Sequence, residues 1–314
     1  MLDFVVPVLL LVIGAALLTL GAEAFAEHVK EASSRLGVSV VALGVLLAGA
    51  EPEEAVTAVL ASAQGHPALA MGDAIGANLV ILTLTLGLAA LLTGLPVSRR
   101  VLEYAAAAAG VGALVVLLSW NGLVSRVEGV VLLLLYVGGV AWVWRREQQP
   151  PVIGELAEVH DEKGGEEPSR ALLLVLLGLL GMVLGGYLAV RGADGLVDVF
   201  GANESVIGLT VLALATSAEM VALVWAARRR GVTEIVVAGA VGAVAYNATV
   251  SIGLAAVVSP LAIGKGSPIL VVALVTAVLP LLLLVGRRRG RFPRALGAVL
   301  IAAYVVVVGW LFTG

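Results

Sequence analysis

No cysteine occurs among the 314 residues, which excludes disulfides, thiolate metal sites and cysteine nucleophiles. Charge is scarce too: Asp, Glu, Lys and Arg make up 13% of the chain, against about 25% in a typical soluble domain. Histidine is limited to His28, His66 and His160, which fall near span ends or in a polar segment and form no metal-ligand pair. No spacing of nucleophile and base assembles a water-activating constellation, so an enzyme is not expected. Neither an organic cofactor nor a nucleic-acid partner is expected, and protein partners are not legible. The opening residues, Met1-Leu2-Asp3-Phe4, lack the basic stretch of a signal peptide, so the first apolar run reads as a retained span.

What abounds is apolar surface. The chain is 61% hydrophobic with a mean hydropathy of +1.09, too little polarity to cover a folded surface in water. Lipid is therefore its solvent. Apolar runs of about 20 residues, enough to cross roughly 30 Å of hydrocarbon, read at 4–22, 36–62, 67–94, 100–119, 123–144, 171–190, 204–227, 232–258, 267–286 and 294–313. An all-α, multi-pass membrane protein of about ten helices is expected. A polar segment from Arg145 to Arg170, with Gln148-Gln149-Pro150-Pro151 followed by six acidic residues, divides the chain into 1–144, a linker 145–170, and 171–314. The linker has no calcium-loop spacing and reads as a solvated connection.

With these spans, sixteen of the 19 Lys and Arg fall on one side, leaving only Arg126, Arg191 and Lys265 on the other. A miscounted crossing would scramble that bias. The basic side is cytoplasmic by the positive-inside rule. Both termini and the loop near Gly65 are then outside and the acidic linker inside a prokaryotic-type cell membrane.

Displacing the chain on itself by 166 positions gives a register without gaps. Ser39-Val40-Val41 falls on Ser205-Val206-Ile207, Glu53 on Glu219, Gly76-Ala77 on Gly242-Ala243, Thr83 on Thr249, and Gly87-Leu88-Ala89-Ala90 on Gly253-Leu254-Ala255-Ala256. Alanine and leucine matches are cheap in membrane sequence; coincident glycines and a coincident intramembrane glutamate are not. Five spans per half is an odd number, so the second copy enters the membrane from the opposite face. Inverted repeats of this kind hold the substrate of many secondary transporters near the midplane, where the repeats meet.

Both repeat centres carry polar chemistry. The second span is interrupted by Gly49-Ala50-Glu51-Pro52-Glu53-Glu54. A mid-bilayer carboxylate costs roughly 2.5–3.5 kcal/mol on insertion scales, so three facing lipid would be heavily disfavoured. Proline removes a helical hydrogen bond, and the helix is expected to break here. If the span instead ended early in an external loop, Ala55–Ala63 would be a stranded apolar piece. The equivalent stretch, Ala215-Thr216-Ser217-Ala218-Glu219, places one glutamate deep in an apolar run behind two hydroxyls. Gly72 and Gly76 read as a close-packing pair, Asp73 as either wanting a partner inside the membrane or lying near its edge, and Asn78 and Asn247 as either ion ligands or interhelical hydrogen-bonders.

This pattern resembles the cation/calcium exchanger superfamily, whose inverted repeats each carry a Gly-Thr-Ser-x-Pro-Glu stretch and, about 20 residues on, Gly-Asn-x-Ile-Gly-Ser-Asn. Gly49–Glu54 and Ala215–Glu219 resemble the first stretch, Gly72–Asn78 the second, and Asn247 an asparagine or aspartate a little beyond it. The departures are Ala50 and Glu51 for Thr and Ser, a proline displaced by one, Ala77 and Ala243 for serines, and Ile81 for an asparagine. The resemblance implies an antiporter exchanging Ca2+, or a related divalent cation, for Na+ or H+ by alternating access. Its ion would be held by Glu53 or Glu54, with Glu51, Glu219, Thr216, Ser217, Asn78 and Asn247. Distance to Gly76 favours Glu54 as the family's glutamate, and symmetry with Glu219 favours Glu53. The altered motifs leave a second reading, a degenerate member that moves another solute or only binds.

Overall fold

The computed structural model describes residues 2–36, 51–147, 168–218, 220, 224–225, 234–287 and 290–313. The chain is all-α. The first half comprises α1 (Leu2–Leu36), α2 (Pro52–Ala63), α3 (Pro67–Val80) running into α4 (Leu86–Thr93), α5 (Arg99–Leu118) and α6 (Arg126–Glu147). In the second half come α7 (Pro168–Phe200), α8 (Glu204–Ile207) running into α9 (Ala213–Thr216), α10 (Glu234–Tyr246) running into α11 (Ile252–Val258), α12 (Pro268–Val278) and α13 (Arg294–Thr313). Among the described residues, eight helices are long and apolar enough to cross a membrane. The stretches containing α2 and α8–α9 supply the second span of each half, giving five per half.

Proline starts several of these helices, at Pro52, Pro67 and Pro268, where its missing N–H costs nothing and its fixed φ suits the first turn. α1 and α7 run past the spans expected at 4–22 and 171–190. Their continuations, through Glu23, Glu27 and His28 in one and Asp194 and Asp198 in the other, are helical, and the apolar spans reach Phe25 and Phe200.

Three helices widen by one residue into a π turn, at Ile81–Thr85, Gly208–Leu212 and Asn247–Ser251. Each turn has threonine at its third position, and each hydroxyl donates to the carbonyl four residues back: Thr83 to Leu79, Thr210 to Val206 and Thr249 to Ala245. A hydroxyl competing for a helical carbonyl loosens the i to i−4 ladder, which is how such bulges arise. The first and third turns are 166 residues apart, so the repeat extends to this local distortion.

The inversion is visible in α1 and α7, the first helix of each half, which pack antiparallel on glycine. A Cβ built on Gly14 would stand 2.5 Å from the Ala189 nitrogen, and one on Gly21 would stand 2.7 Å from the Gly178 carbonyl. Gly185 and Gly178 return the contact against the carbonyls of Gly14 and Gly21. Short bridges repeat the symmetry at the two ends of the bundle: Leu123–Val124 pairs with Leu261–Ala262, and Pro96, the counterpart of Ala262, pairs with Arg291. Inside this frame sit the spans Pro67–Leu92 and Gly239–Val258, 78% and 72% buried, while the other six are at most 44% buried. These two helices form the core and bear Asp73, Asn78 and Asn247.

A candidate cation site at the repeat interface

A helix starts where the sequence places the break, and residues 37–50 before it lie outside the described residues. Glu51 has a non-helical backbone and precedes α2, whose first turn holds Pro52, Glu53 and Glu54. Twelve residues reach about 18 Å, roughly half the hydrocarbon, so α2 begins inside the membrane. The unpaired N–H groups and dipole of a helix start favour negative charge, which helps explain three glutamates at this position. In the other half α9 ends at Thr216, and Ser217 leaves the helix. Ser217 lies 166 residues after Glu51, so a helix start in one half and a helix end in the other fall at the same point of the repeat.

Glu51, Glu53 and Glu54 are buried, at 1%, 0% and 0% exposure, and so is Asp73 at 0%. Of the two alternatives for Asp73, the structure favours the buried one over the membrane edge. Close packing of α3 on the start of the seventh span carries Asp73 inward: Gly72 faces the Gly208 Cα, and a Cβ on Gly76 would stand 2.5 Å from the Leu209 carbonyl. Across this contact Thr216 Oγ1 donates to Asp73 Oδ1 at 3.1 Å, and Ser217 Oγ donates to Glu54 Oε1 at 2.9 Å. The Glu54 and Asp73 carboxyls are close enough to act on each other electrostatically, and Glu53 acts on both. Glu54 Oε2 and Asp73 Oδ2 are buried and have no hydrogen-bond partner.

Of the alternatives Glu53 and Glu54, the geometry brings Glu54 to the second repeat's hydroxyls. Glu51 and Glu53 instead interact electrostatically with Tyr246, beside the third π turn. That turn starts with Asn247 and packs on α2. Asn247 is buried, its Oδ1 accepting from Ser251 and its Nδ2 without a partner. Asn78 Nδ2 donates to the Val244 carbonyl at 3.2 Å, and its Oδ1 is buried and free of a hydrogen bond. Glu219 lies outside the described residues.

Two carboxyl groups so close, taken out of water, need a proton or a cation between them, because two bare charges at that separation repel strongly in low dielectric. The free oxygens of Glu54, Asp73 and Asn78 and the two donating hydroxyls suit a hard cation, which takes oxygen ligands. The donor set is chemically lopsided: among the described residues the first repeat supplies the carboxylates and the second supplies hydroxyls. Asp73 was the residue that sequence reasoning undervalued. It occupies the place of the first asparagine in Gly-Asn-x-Ile-Gly-Ser-Asn, and its acidity there was the available signal.

Comparison with known proteins agrees with this architecture. The chain is 29% identical to the inner membrane protein YrbG of Escherichia coli K12, covering 88% of this chain and 86% of that one. It is 26% identical to a putative antiporter, CaxA, of Alkalimonas amylolytica, covering 96% and 97%. Structures of the sodium-calcium exchanger NCX_Mj superpose with a TM-score of 0.63 over 98% of both chains at 22% identity, a likeness of fold. The family described as sodium/calcium exchanger protein matches twice, over residues 4–145 and 170–313, and the chain belongs to that family of cation exchangers.

Proposed function

We propose that this chain is a secondary antiporter that exchanges Ca2+, or a related divalent cation, for Na+ or H+ by alternating access. The observation that carries the reading is the buried junction of Glu54 and Asp73 from one repeat with Ser217 and Thr216 from the other. A divalent ion held there neutralises the carboxylates. When it leaves, other positive charge must replace it, and this obligatory replacement couples the two fluxes.

In this reading Glu54 and Asp73 are the principal ligands from the first repeat. Glu53 and Glu51 add negative potential. Thr216, Ser217, Asn78 and Asn247 contribute oxygen, and Glu219, the repeat partner of Glu53, joins them from the second half. Access alternates as the two repeats move about the fixed site, and only the occupied or protonated site, its charge cancelled, makes the passage. Residues 1–144 and 171–314 are the two moving repeats, with 145–170 as a cytoplasmic connection and both termini outside.

Radioactive calcium uptake into proteoliposomes, under an imposed sodium or proton gradient, tests the proposal. Uptake driven by one gradient and not the other identifies the coupling ion. Protein that takes up no calcium, strontium or other divalent cation under either gradient overturns the reading.

A further inference from the structure

At the opposite end of α2 from its glutamates, three metal-ligating side chains converge from three elements of the fold. His66 closes the turn between α2 and α3, Asp194 lies on α7, and Glu204 opens α8. His66 Nδ1 is 3.0 Å from Glu204 Oε1 and 3.6 Å from Asp194 Oδ1. One ligand atom of each residue lies within 4.8 Å of the other two, and no other His, Cys, Asp and Glu trio among the described residues meets that condition.

Two features go beyond a chance ion pair. Among the described residues neither carboxylate pairs with lysine or arginine, so a single imidazole stands between two negative charges. The two separations from His66 also fit a shared metal. Bonds of roughly 2.0–2.2 Å to nitrogen and oxygen place neighbouring ligand atoms about 3.0 Å apart in an octahedral shell and about 3.4 Å apart in a tetrahedral one. All three side chains are half-buried, leaving an open side for water to complete the shell. One imidazole with two carboxylates suits zinc, manganese, cobalt or nickel, whereas calcium takes six to eight oxygens.

We propose that His66, Asp194 and Glu204 bind a divalent transition-metal ion at a second site, distinct from the central one and on the face that the charge count assigns to the outside. The ion pins the α2–α3 turn of the first repeat to α7 and α8 of the second. α2 bears Glu54 and α8 leads to Ser217, so the clamp restrains the two elements whose side chains meet at the centre.

The test uses the purified full-length protein in detergent with saturating Ca2+, titrated separately with Zn2+ and Co2+. Zn2+ is expected to raise the melting temperature, and Co2+ to develop visible ligand-field bands. His66→Asn keeps a hydrogen-bonding group near the Nδ1 position but is a poor ligand, and it should weaken both responses at least about tenfold. Asp194→Asn serves as the second variant should His66→Asn fail to fold. Glu54→Gln should leave both responses intact, so a failed transport assay with a preserved Co2+ spectrum counts against the central site alone. A wild-type protein without Zn2+-dependent stabilisation, or a folded His66→Asn or Asp194→Asn variant with the wild-type response, overturns the proposal.

Discussion

The Asn78 side chain donates to the backbone carbonyl of Val244, the residue 166 positions later and thus its own counterpart in the other repeat. A contact between equivalent positions can form only where the pseudo-two-fold axis passes, so this hydrogen bond marks the axis through the core. It joins α3 to α10, the helices that are buried most deeply. Asn78→Ala removes the donor from a site sealed from water. A loss of about 0.5–1.5 kcal/mol is expected, measurable as a lower melting temperature in detergent, and removal of the Asn78 Oδ1 oxygen should also weaken calcium-dependent stabilisation.

Glu54→Gln and Asp73→Asn preserve shape while deleting one negative charge each. Both variants should fold, and each should lower the apparent calcium affinity by at least about tenfold, equivalent to 1.4 kcal/mol. Calcium-dependent thermal shifts and vesicle uptake check this. Wild-type uptake by Asp73→Asn would remove Asp73 from the ligand set while leaving Glu54 in place.

Ser217→Ala deletes a hydroxyl that donates to Glu54 across the repeat interface. Hydrogen bonds to charged groups contribute about 1.5–3 kcal/mol, so calcium binding should weaken by roughly ten- to a hundredfold. Ser217→Thr retains the hydroxyl and should restore most of the affinity. The pair of variants separates a lost oxygen from a disturbed helix end.

Gly21 and Gly185 each sit against backbone of the partner helix, where a Cβ would fall 2.7 Å from main-chain atoms. Backbone cannot move aside as a flexible side chain can, so Gly21→Val or Gly185→Val should force α1 and α7 apart. Overpacking of this kind costs about 1–3 kcal/mol. The expected outcome is a clear fall in melting temperature, with loss of exchange even though no polar residue has changed.

Thr249→Val keeps the volume of the side chain but removes the hydroxyl that takes the Ala245 carbonyl. If the hydroxyl holds the third π turn open, this variant relaxes it toward regular helix and rotates Asn247 relative to α2. Calcium affinity should drop severalfold, while Thr249→Ser, which can still donate, stays near wild type. Titration of calcium against thermal stability reads both.

Much of the architecture was legible because membrane sequence obeys strict rules. The apolar runs, the lopsided distribution of Lys and Arg and the register of 166 all follow from the need to keep charge out of lipid, and they identify two inverted halves without coordinates. The helix start at Glu51-Pro52 was readable for the same reason. Asp73 was not, because one carboxylate near a glycine pair looks the same in sequence whether it faces headgroups or the core; only the packing of Gly72 on Gly208 decides. The π turns also escaped notice. The coincidence of Thr83 with Thr249 was visible, but threonine is common in helices, and nothing in the sequence says which hydroxyl captures a carbonyl. The choice between Glu53 and Glu54 turns on side-chain direction at a helix start, which neither the distance to Gly76 nor the symmetry of the repeats reveals.

The short reach of α2 has an electrical meaning. A cation drawn to its first turn has crossed only part of the insulating layer, so part of the membrane voltage acts on entry and the remainder on exit. Moving one elementary charge through the full potential is worth about 2.3 kcal/mol per 100 mV. An exchange cycle that carries unequal charge in its two directions therefore speeds up or stalls with voltage, and the depth of Glu54 apportions that dependence between the two half-cycles.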